Sequence, residues 1–177
     1  MKKRIMISWL VTLGVILLAA LGLFLLSISP WAHKKSEDGI YYAESVFEFG
    51  IDAENANETM INEKDKDDAG FEYSVNCLEI NGAIVVKVCY MHDVTGTTDE
   101  EKIDSAYKLL EHGDFAMVLE QRIDAAGTYC FDLSEEKNGF YVFCIEKLYP
   151  DTYAKGTERL TIYSSNWSVL MDRIGVK

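Results

Sequence analysis

Charged side chains are absent from Ile5 through Trp31, although the chain begins with the basic run Lys2-Lys3-Arg4. In a helix that rises about 1.5 Å per residue, about 20 apolar residues span the hydrocarbon core of a bilayer. The uncharged run therefore predicts a transmembrane helix over Ile5 to Ile28, which is not how an ordinary soluble domain begins.

A cleaved signal peptide is the alternative, because it also starts with basic residues followed by an apolar run. Its apolar part is only about 7 to 15 residues long, however, and a good small-x-small cleavage site is lacking after Ser27. Cysteine is absent before Cys77, which excludes lipid attachment near this segment. We expect residues 1–35 to form a cytoplasmic basic stub and an uncleaved signal anchor, and residues 36–177 to form one domain.

The tryptophans Trp9 and Trp31 flank most of the apolar run. On a helix their separation corresponds to roughly 33 Å, close to the spacing of the two interfacial aromatic belts of a bilayer. The flanking charges favour a cytoplasmic N-terminus only narrowly, because three basic residues precede the run and Lys34 and Lys35 follow it. All four cysteines follow the run, and disulfides between them would require this part of the chain to lie outside the cytoplasm, which supports the same orientation.

Acidic residues are also absent from the beginning of the chain, and the first is Glu37. The 142 residues after Lys35 contain all 29 acidic residues and 12 of the 17 basic ones, which gives this part a net charge of −17. Such a surface repels nucleic acid, so we exclude nucleic-acid binding. It favours solubility, cation binding or a basic partner.

Four cysteines lie in the C-terminal part, and none forms a C-x-x-C pair. In an exported domain, an even number of cysteines favours two disulfides with open connectivity, so the candidates are Cys77, Cys89, Cys130 and Cys144. Zinc is the alternative, because Cys89 and His92 have a ligand-like spacing. A second closely spaced pair is missing, and we expect no metal or other cofactor.

Alternation of apolar and polar residues predicts a mainly β or α+β domain. Residues 36–50 are a first strand and residues 51–70 a polar loop, and residues 71–91 form a hairpin that turns at Asn81-Gly82. In that register Ser74 faces Cys89. One apolar face of the hairpin should form the core, and it contains Phe71, Tyr73, Val75, Cys77, Ile84, Val86, Val88 and Tyr90.

Thr98 and Glu101 form a capping-box pattern that predicts a helix ending at Gly113, with an apolar stripe that packs on the outer face of the hairpin. A strand over residues 115–123 should follow. The predicted second hairpin joins residues 128–134 to 140–148 around Lys137-Asn138-Gly139 and brings Cys130 and Cys144 onto one face. Its other face should hold Tyr129, Phe131, Leu133, Tyr141, Phe143 and Ile145.

A last strand over residues 157–164, with Leu160 and Ile162 inward, and a short helix capped by Ser165 or Asn166 complete the chain. The predicted fold is therefore an N-terminal transmembrane helix followed by one antiparallel, β-rich, sandwich-like domain with one or two short helices.

The segment Gly127-Thr128-Tyr129, with Phe131 and Leu133, resembles the strand opening of secreted bacterial β-sandwich modules. In immunoglobulin domains the corner tyrosine of the corresponding strand occupies the place of Thr128. Because Tyr129 comes one residue later, we expect its hydroxyl to point to the wrong face for that corner.

Candidate chemical motifs are few. Asp65, Asp67 and Asp68 suggest weak calcium binding, but Ala69 and Asn76 occupy positions where an EF-hand loop needs ligands, so a solvated acidic loop is expected. The sequence contains neither G-x-S-x-G nor H-E-x-x-H around His92 or His112, and we expect no enzyme activity.

These observations predict a single-pass protein of the cell membrane whose extracytoplasmic domain acts through binding or envelope assembly. The expected partners are the membrane and another envelope protein. Two alternatives remain open, namely a membrane-anchored hydrolase-type enzyme and, if the leader is cleaved, a secreted carbohydrate-binding module.

Overall fold

The structure is a computed structural model that describes residues 2–50 and 57–176, apart from the side chains of residues 2–8 and Leu10. Its helices are α1 (Lys2–Ser27), α2 (Asp99–His112) and α3 (Asn166–Arg173). Its strands are β1 (Lys35–Phe49), β2 (Asn57–Lys64), β3 (Asp68–Asn81), β4 (Ile84–Met91), β5 (Phe115–Ile123), β6 (Gly127–Asp132), β7 (Gly139–Lys147) and β8 (Tyr153–Ser165).

The strands in the described residues form two four-stranded sheets in which all neighbouring strands are antiparallel. Sheet A has the order β1-β8-β3-β6, and sheet B has the order β2-β7-β4-β5. The prediction of a mainly β domain with antiparallel sheets is confirmed.

The core lies between the two sheets and is rich in aromatic rings. The ring centroids of Tyr73 in sheet A and Phe143 in sheet B are 4.6 Å apart, and those of Phe71 and Tyr141 are 5.4 Å apart. Tilted ring pairs of this kind add to the free energy gained by burying apolar area. This face-to-face packing is consistent with a β-sandwich.

The predicted hairpin at Asn81-Gly82 is wrong in its pairing, because β3 belongs to sheet A and β4 to sheet B. The chain does turn there, with φ of +105° at Gly82. A two-residue hairpin turn would pair Ala83 with Ile80, but the backbone of Ala83 instead exchanges hydrogen bonds of 3.2 Å with the Thr152 hydroxyl. The turn therefore carries the chain from one sheet to the other.

The predicted core face of the same segment is correct. The structure buries Phe71, Tyr73, Val75, Cys77, Ile84, Val86 and Val88, and Tyr90 packs against them. Cys89 lies on the opposite face, also as predicted, but it does not face Ser74, which pairs with Arg159 and Cys130. Alternation identified the buried face because it depends only on strand geometry, whichever strand is the partner.

The second predicted hairpin is wrong for the same reason. β6 pairs with β3 in sheet A, whereas β7 lies between β2 and β4 in sheet B. The residues of its predicted apolar face all join the core, where Leu133, Tyr141, Phe143 and Ile145 are buried and Tyr129 and Phe131 pack against them.

The loop predicted over residues 51–70 contains the strand β2, and residues 51–56 lie outside the described residues. β2 pairs along its whole length with β7. Its last residue, Lys64, is buried and donates hydrogen bonds to the carbonyl oxygens of Ser134 and Glu136. The polar composition of β2 hid the strand because β2 lies at an edge, where side chains can remain partly in water.

Helix α2 confirms its predicted ends and its predicted packing. The Thr98 hydroxyl accepts a hydrogen bond of 3.2 Å from the Glu101 N–H, and Gly113 ends the helix with φ of 77°. Ala106 is buried against the outer face of sheet B, together with Cys89 and Val142. One outer face of the sandwich is therefore covered by a helix.

Helix α1 contains Trp9, and Trp31 follows in the turn after it; both indoles are exposed. In the part of the chain that the structure describes, none of the helices has both the length and the apolar character needed to cross a membrane. The predicted span from Ile5 to Ile28 thus gains no support from the structure and stays a prediction.

Helix α3 begins as predicted, with the Ser165 hydroxyl accepting a hydrogen bond of 3.0 Å from the Ser168 N–H. The preceding strand β8 is longer than predicted, and its inward residues include Leu160 and Ile162. None of the residues in α3 is buried, although the helix is amphipathic.

Candidate functional site

The outer side of sheet A, here called the open face, is not covered by α2, which packs on sheet B. Its outward side chains, which alternate with buried core residues, include Tyr42, Glu44, Val46, Glu48, Glu72, Ser74, Asn76, Thr128, Cys130, Asp132, Lys155, Thr157, Arg159, Thr161 and Tyr163. Within the described residues, α3 contacts this sheet at one end, where it packs on the start of β1 beside Gly39 and on the end of β8. The open face therefore presents four strands to the surroundings.

Short polar side chains form a row across the open face. Thr128, Asn76 and Thr157 are cross-strand neighbours, and the row ends at Val46 on the edge strand β1. The Thr128 hydroxyl donates a hydrogen bond of 3.1 Å to the Asn76 side chain. This row offers hydroxyl and amide groups on a flat surface.

A charged and aromatic group lies beside that row. The Arg159 guanidinium is 4.3 Å from the centre of the Tyr42 ring, and its Nε is 3.6 Å from a Glu44 carboxylate oxygen. Tyr42 is 56% exposed and Val46 is 65% exposed. Tyrosine and arginine are enriched at protein interfaces, and the contact with the Tyr42 ring restrains the Arg159 side chain.

A carboxyl group lies inside the sandwich. Glu158 is fully buried, and its Oε2 accepts a hydrogen bond from the Tyr73 hydroxyl, whereas its Oε1 lacks a hydrogen-bond partner among the described residues. Burial raises the pKa of Glu158 to about 7, although the hydrogen bond from Tyr73 opposes this rise. The carboxyl therefore titrates near neutral pH.

A second carboxyl approaches the first from sheet B. Glu58 on β2 accepts a hydrogen bond of 2.7 Å from the Ser45 hydroxyl, and Ser45 pairs directly with Glu158 across β1 and β8. The negative charge of Glu58 contributes to the raised pKa of Glu158. The two acids thus meet where the edge strands of the two sheets come together.

The four cysteines do not support the predicted disulfides. All four are free, and no two of them lie near each other. Cys77 is in the core and Cys130 is on the open face. Cys89 and Cys144 lie on sheet B, and Cys89 packs in the cluster under α2. The predicted common face of Cys130 and Cys144 was wrong because their strands belong to different sheets.

The two buried cysteines of sheet B are poor nucleophiles. Burial raises the pKa of the Cys89 thiol to about 11 and that of the Cys144 thiol to about 12. Because the thiolate is the reactive form, neither group is activated for catalysis at neutral pH.

The structure does not bring the two candidate histidines, His92 and His112, into one site. His92 lines a shallow cavity of about 400 Å³ with Asp93 and Asp114, and the lining contains neither a hydroxyl nor a thiol side chain. The His112 ring Nδ1 instead lies 2.5 Å from the Lys108 carbonyl oxygen of its own helix. Nucleophilic catalysis needs an activated nucleophile beside a base.

The acidic loop closes on itself. The Asp68 carboxylate accepts a hydrogen bond of 2.7 Å from the Asp65 N–H, and burial raises the pKa of Asp68. Among the described residues, no group of three or more histidine, cysteine or acidic side chains is arranged to hold a metal ion.

Tyr129 corrects another sequence-based expectation. Its hydroxyl donates a hydrogen bond of 2.9 Å to the carbonyl oxygen of Ala125, four residues upstream, which is the contact of a tyrosine corner. Tyr141 makes the same contact with Lys137. Both tyrosines follow a Gly-x-Tyr pattern, and a positive φ at Gly127 and at Gly139 lets the chain bend back.

Glu158 was missed by the sequence analysis, although its signal was present. Leu160 and Ile162 were predicted to face inward, and Glu158 has the same parity on that strand. A charged residue at an inward position is the informative exception to apolar patterning.

The packed antiparallel sheets, with a helix on the outside of one of them, are consistent with the β-sandwich class. No protein-family model matches the chain, and no curated protein matches it.

Proposed function

We propose that this chain is a membrane-anchored binding protein, in which α1 crosses a membrane and displays the sandwich on the extracytoplasmic side. The open face then binds another protein of the envelope. The observation that carries the proposal is a helix of 26 residues, without a charge after Arg4, that leads through a short turn into a domain with its own core.

The side chains of α1 support this role. Its described leucines, valines and aromatic residues are exposed along the helix instead of packing against the sandwich. Exposed apolar side chains on this scale are unfavourable in water and favourable in lipid. The proposed span, Ile5 to Ile28, also includes residues 5–8 and Leu10, whose side chains lie outside the described residues.

The asymmetry of the sandwich supports the binding role. α2 covers the outer face of sheet B, whereas the open face exposes Tyr42 and Val46 beside a stacked arginine, Arg159. An exposed tyrosine and a stacked arginine, with polar and charged side chains around them, fit the centre and the rim of a transient protein interface.

Thiol labelling of intact cells that produce the full chain tests the orientation. Cys130 is exposed, so a membrane-impermeant maleimide added after a mild reductant should label it. The matched control combines Lys3→Cys with serine substitutions at all four native cysteines, and it should be labelled only after the membrane is permeabilised. Labelling of the Lys3→Cys site in intact cells, with protection of Cys130, would overturn the proposal.

Photo-crosslinking tests the binding face. A photoreactive amino acid at Tyr42 should form crosslinks to a membrane or envelope protein in intact cells, because this side chain projects from the open face. The same group at Lys108, an exposed position on α2, is the control. Equal crosslinking from both positions would contradict a specific role for the open face.

A further inference from the structure

Helix α3 is fastened by its backbone to the turn that follows α1. The Asn166 N–H donates a 3.0 Å hydrogen bond to the Lys34 carbonyl oxygen, and the Trp167 N–H donates one of 3.2 Å to that of Ala32. The Asn166 side chain also donates a hydrogen bond of 3.0 Å to the Trp31 carbonyl oxygen. These contacts fix the start of α3 next to the end of α1.

One side of α3 packs on β1. Val169 packs so closely against Gly39 that a Cβ at Gly39 would lie 2.7 Å from a Val169 methyl carbon. One helical turn later, the Arg173 guanidinium is 2.7 Å from a carboxylate oxygen of Asp38. Val169 and Arg173 therefore define the side of α3 that faces the sandwich.

The apolar stripe of α3 is centred away from that side. Trp167, Leu170, Met171 and Ile174 follow the i, i+3, i+4, i+7 spacing, and at about 100° per residue the centre of the stripe lies about 150° from Val169. Trp167 and Met171, at one edge of the stripe, line a cavity with Asp38 and Asp67, whereas Leu170 and Ile174 do not. None of them is buried, and Ile174 and Val176 are 53% and 49% exposed. An amphipathic helix normally buries such a stripe, so this stripe needs a further apolar environment.

The charge distribution distinguishes this end of the molecule from the rest. Residues 36–165 contain 28 acidic and 10 basic side chains, a net charge of −18. Residues 28–35 have two basic and no acidic side chains, and residues 166–177 have two basic and one acidic. The two segments that meet at the end of α1 therefore lack the strong negative charge of the rest, although Lys35 and Arg173 pair with Glu72 and Asp38. An anionic lipid surface repels this part of the displayed chain least.

We propose that α3 and residues 28–34 form a foot that rests on the surface of the membrane in which α1 is anchored. The foot places the α3 stripe, with Ile174 and Val176, among the lipid headgroups, and Trp31 at the same depth. This contact rests on the proposed membrane anchor. It would hold the sandwich in a fixed orientation, with β1 rising from the membrane and the open face directed sideways.

The three tryptophans of the chain allow the anchor and the foot to be tested separately. The full chain is reconstituted into vesicles of three parts phosphatidylcholine and one part phosphatidylglycerol, with brominated phosphatidylcholine as the quencher. One variant keeps only Trp9 (Trp31→Phe with Trp167→Phe), and the other keeps only Trp167 (Trp9→Phe with Trp31→Phe). We expect lipid bromines to quench both, with Trp167 quenched most strongly by bromines close to the headgroups.

Quenching of Trp9 without quenching of Trp167 would overturn the foot and leave the anchor standing. If Trp9 is not quenched, the anchor fails and the foot fails with it. In the Trp167 variant, Ile174→Asp with Val176→Asp should abolish quenching of Trp167. Leu78→Asp changes a similarly exposed leucine near the end of β3 and should not change the quenching of Trp167. Loss of quenching in the Leu78 control as well would overturn the proposal.

Discussion

The Tyr73 hydroxyl donates a hydrogen bond to the Glu158 carboxylate between the two sheets, where both side chains are fully buried. This contact pairs the titratable carboxyl group of Glu158 on β8 with a hydroxyl donor from the neighbouring strand β3 of the same sheet. It leaves Glu158 Oε1 without a partner among the described residues. Because burial raises the pKa of Glu158 to about 7, we expect the stability of the domain to depend on pH.

The stability of the domain should fall as the pH rises toward 7. The pKa of Glu158 is about 7 in the folded protein against an ordinary 4.5, so the folded state binds more protons between these pH values. Each tenfold difference in proton affinity corresponds to about 1.4 kcal/mol, so the free energy of unfolding should decrease by about 3 kcal/mol across this window. Urea unfolding of the full chain in mild detergent at pH 5, 6, 7 and 8 measures it.

Glu158→Gln should remove most of that dependence and make the protein more stable than the wild type at pH 8. Glu44→Gln, at an exposed acid of the open face, is the matched control and should leave the dependence in place. A wild-type stability that is constant or rises from pH 5 to 8 would show that Glu158 is not protonated in the folded state.

Tyr73→Phe should destabilise the protein more at pH 8 than at pH 5. The substitution removes the donor to a buried carboxylate, which costs about 1 to 3 kcal/mol when the group is ionised. At pH 5 the carboxyl is neutral and the loss is smaller. Thermal unfolding at both pH values checks the difference, with Tyr163→Phe on the outer side of sheet A as the control. Equal losses at the two pH values would contradict the pairing.

Gly156→Ala should be strongly destabilising. A Cβ at this position would lie 2.2 Å from the Asn76 carbonyl oxygen and 2.6 Å from the Phe47 ring, so the strands β8 and β3 would have to separate. Overpacking of a core typically costs about 1 to 3 kcal/mol. Gly50→Ala, where a Cβ meets nothing within 4 Å, is the control. Similar urea midpoints for the two variants would refute the close approach.

Thiol reactivity should distinguish one cysteine from the other three. Cys130 is exposed, whereas Cys77, Cys89 and Cys144 are buried and burial raises their pKa values. Brief alkylation of the native protein should therefore add one label, and alkylation after unfolding should add four. Mass spectrometry counts the labels, and Cys130→Ser should remove the first one. Unlabelled cysteines that react only after reduction would restore the disulfide prediction.

The sequence alone determined which side of β3, β4, β6 and β7 is buried. Phe71, Tyr73 and Val75 alternate with polar residues, and this period of two follows from strand geometry whichever strand lies beside them. The ends of α2 were also predictable, because Thr98, Glu101 and Gly113 act within a few residues of one another. Local patterns were reliable wherever the interactions that stabilise them are local.

Tertiary structure decided which strands pair. Asn81-Gly82 and Lys137-Asn138-Gly139 turn the chain as their residues predict, but each turn joins the two sheets, so the consecutive strands face each other across the core. The long-range partners of β3 and β7 are strands distant in sequence, which no local pattern identifies. The same packing brought Glu158, Tyr73 and Glu58 together, so the titrating interior is a property of the assembled sandwich.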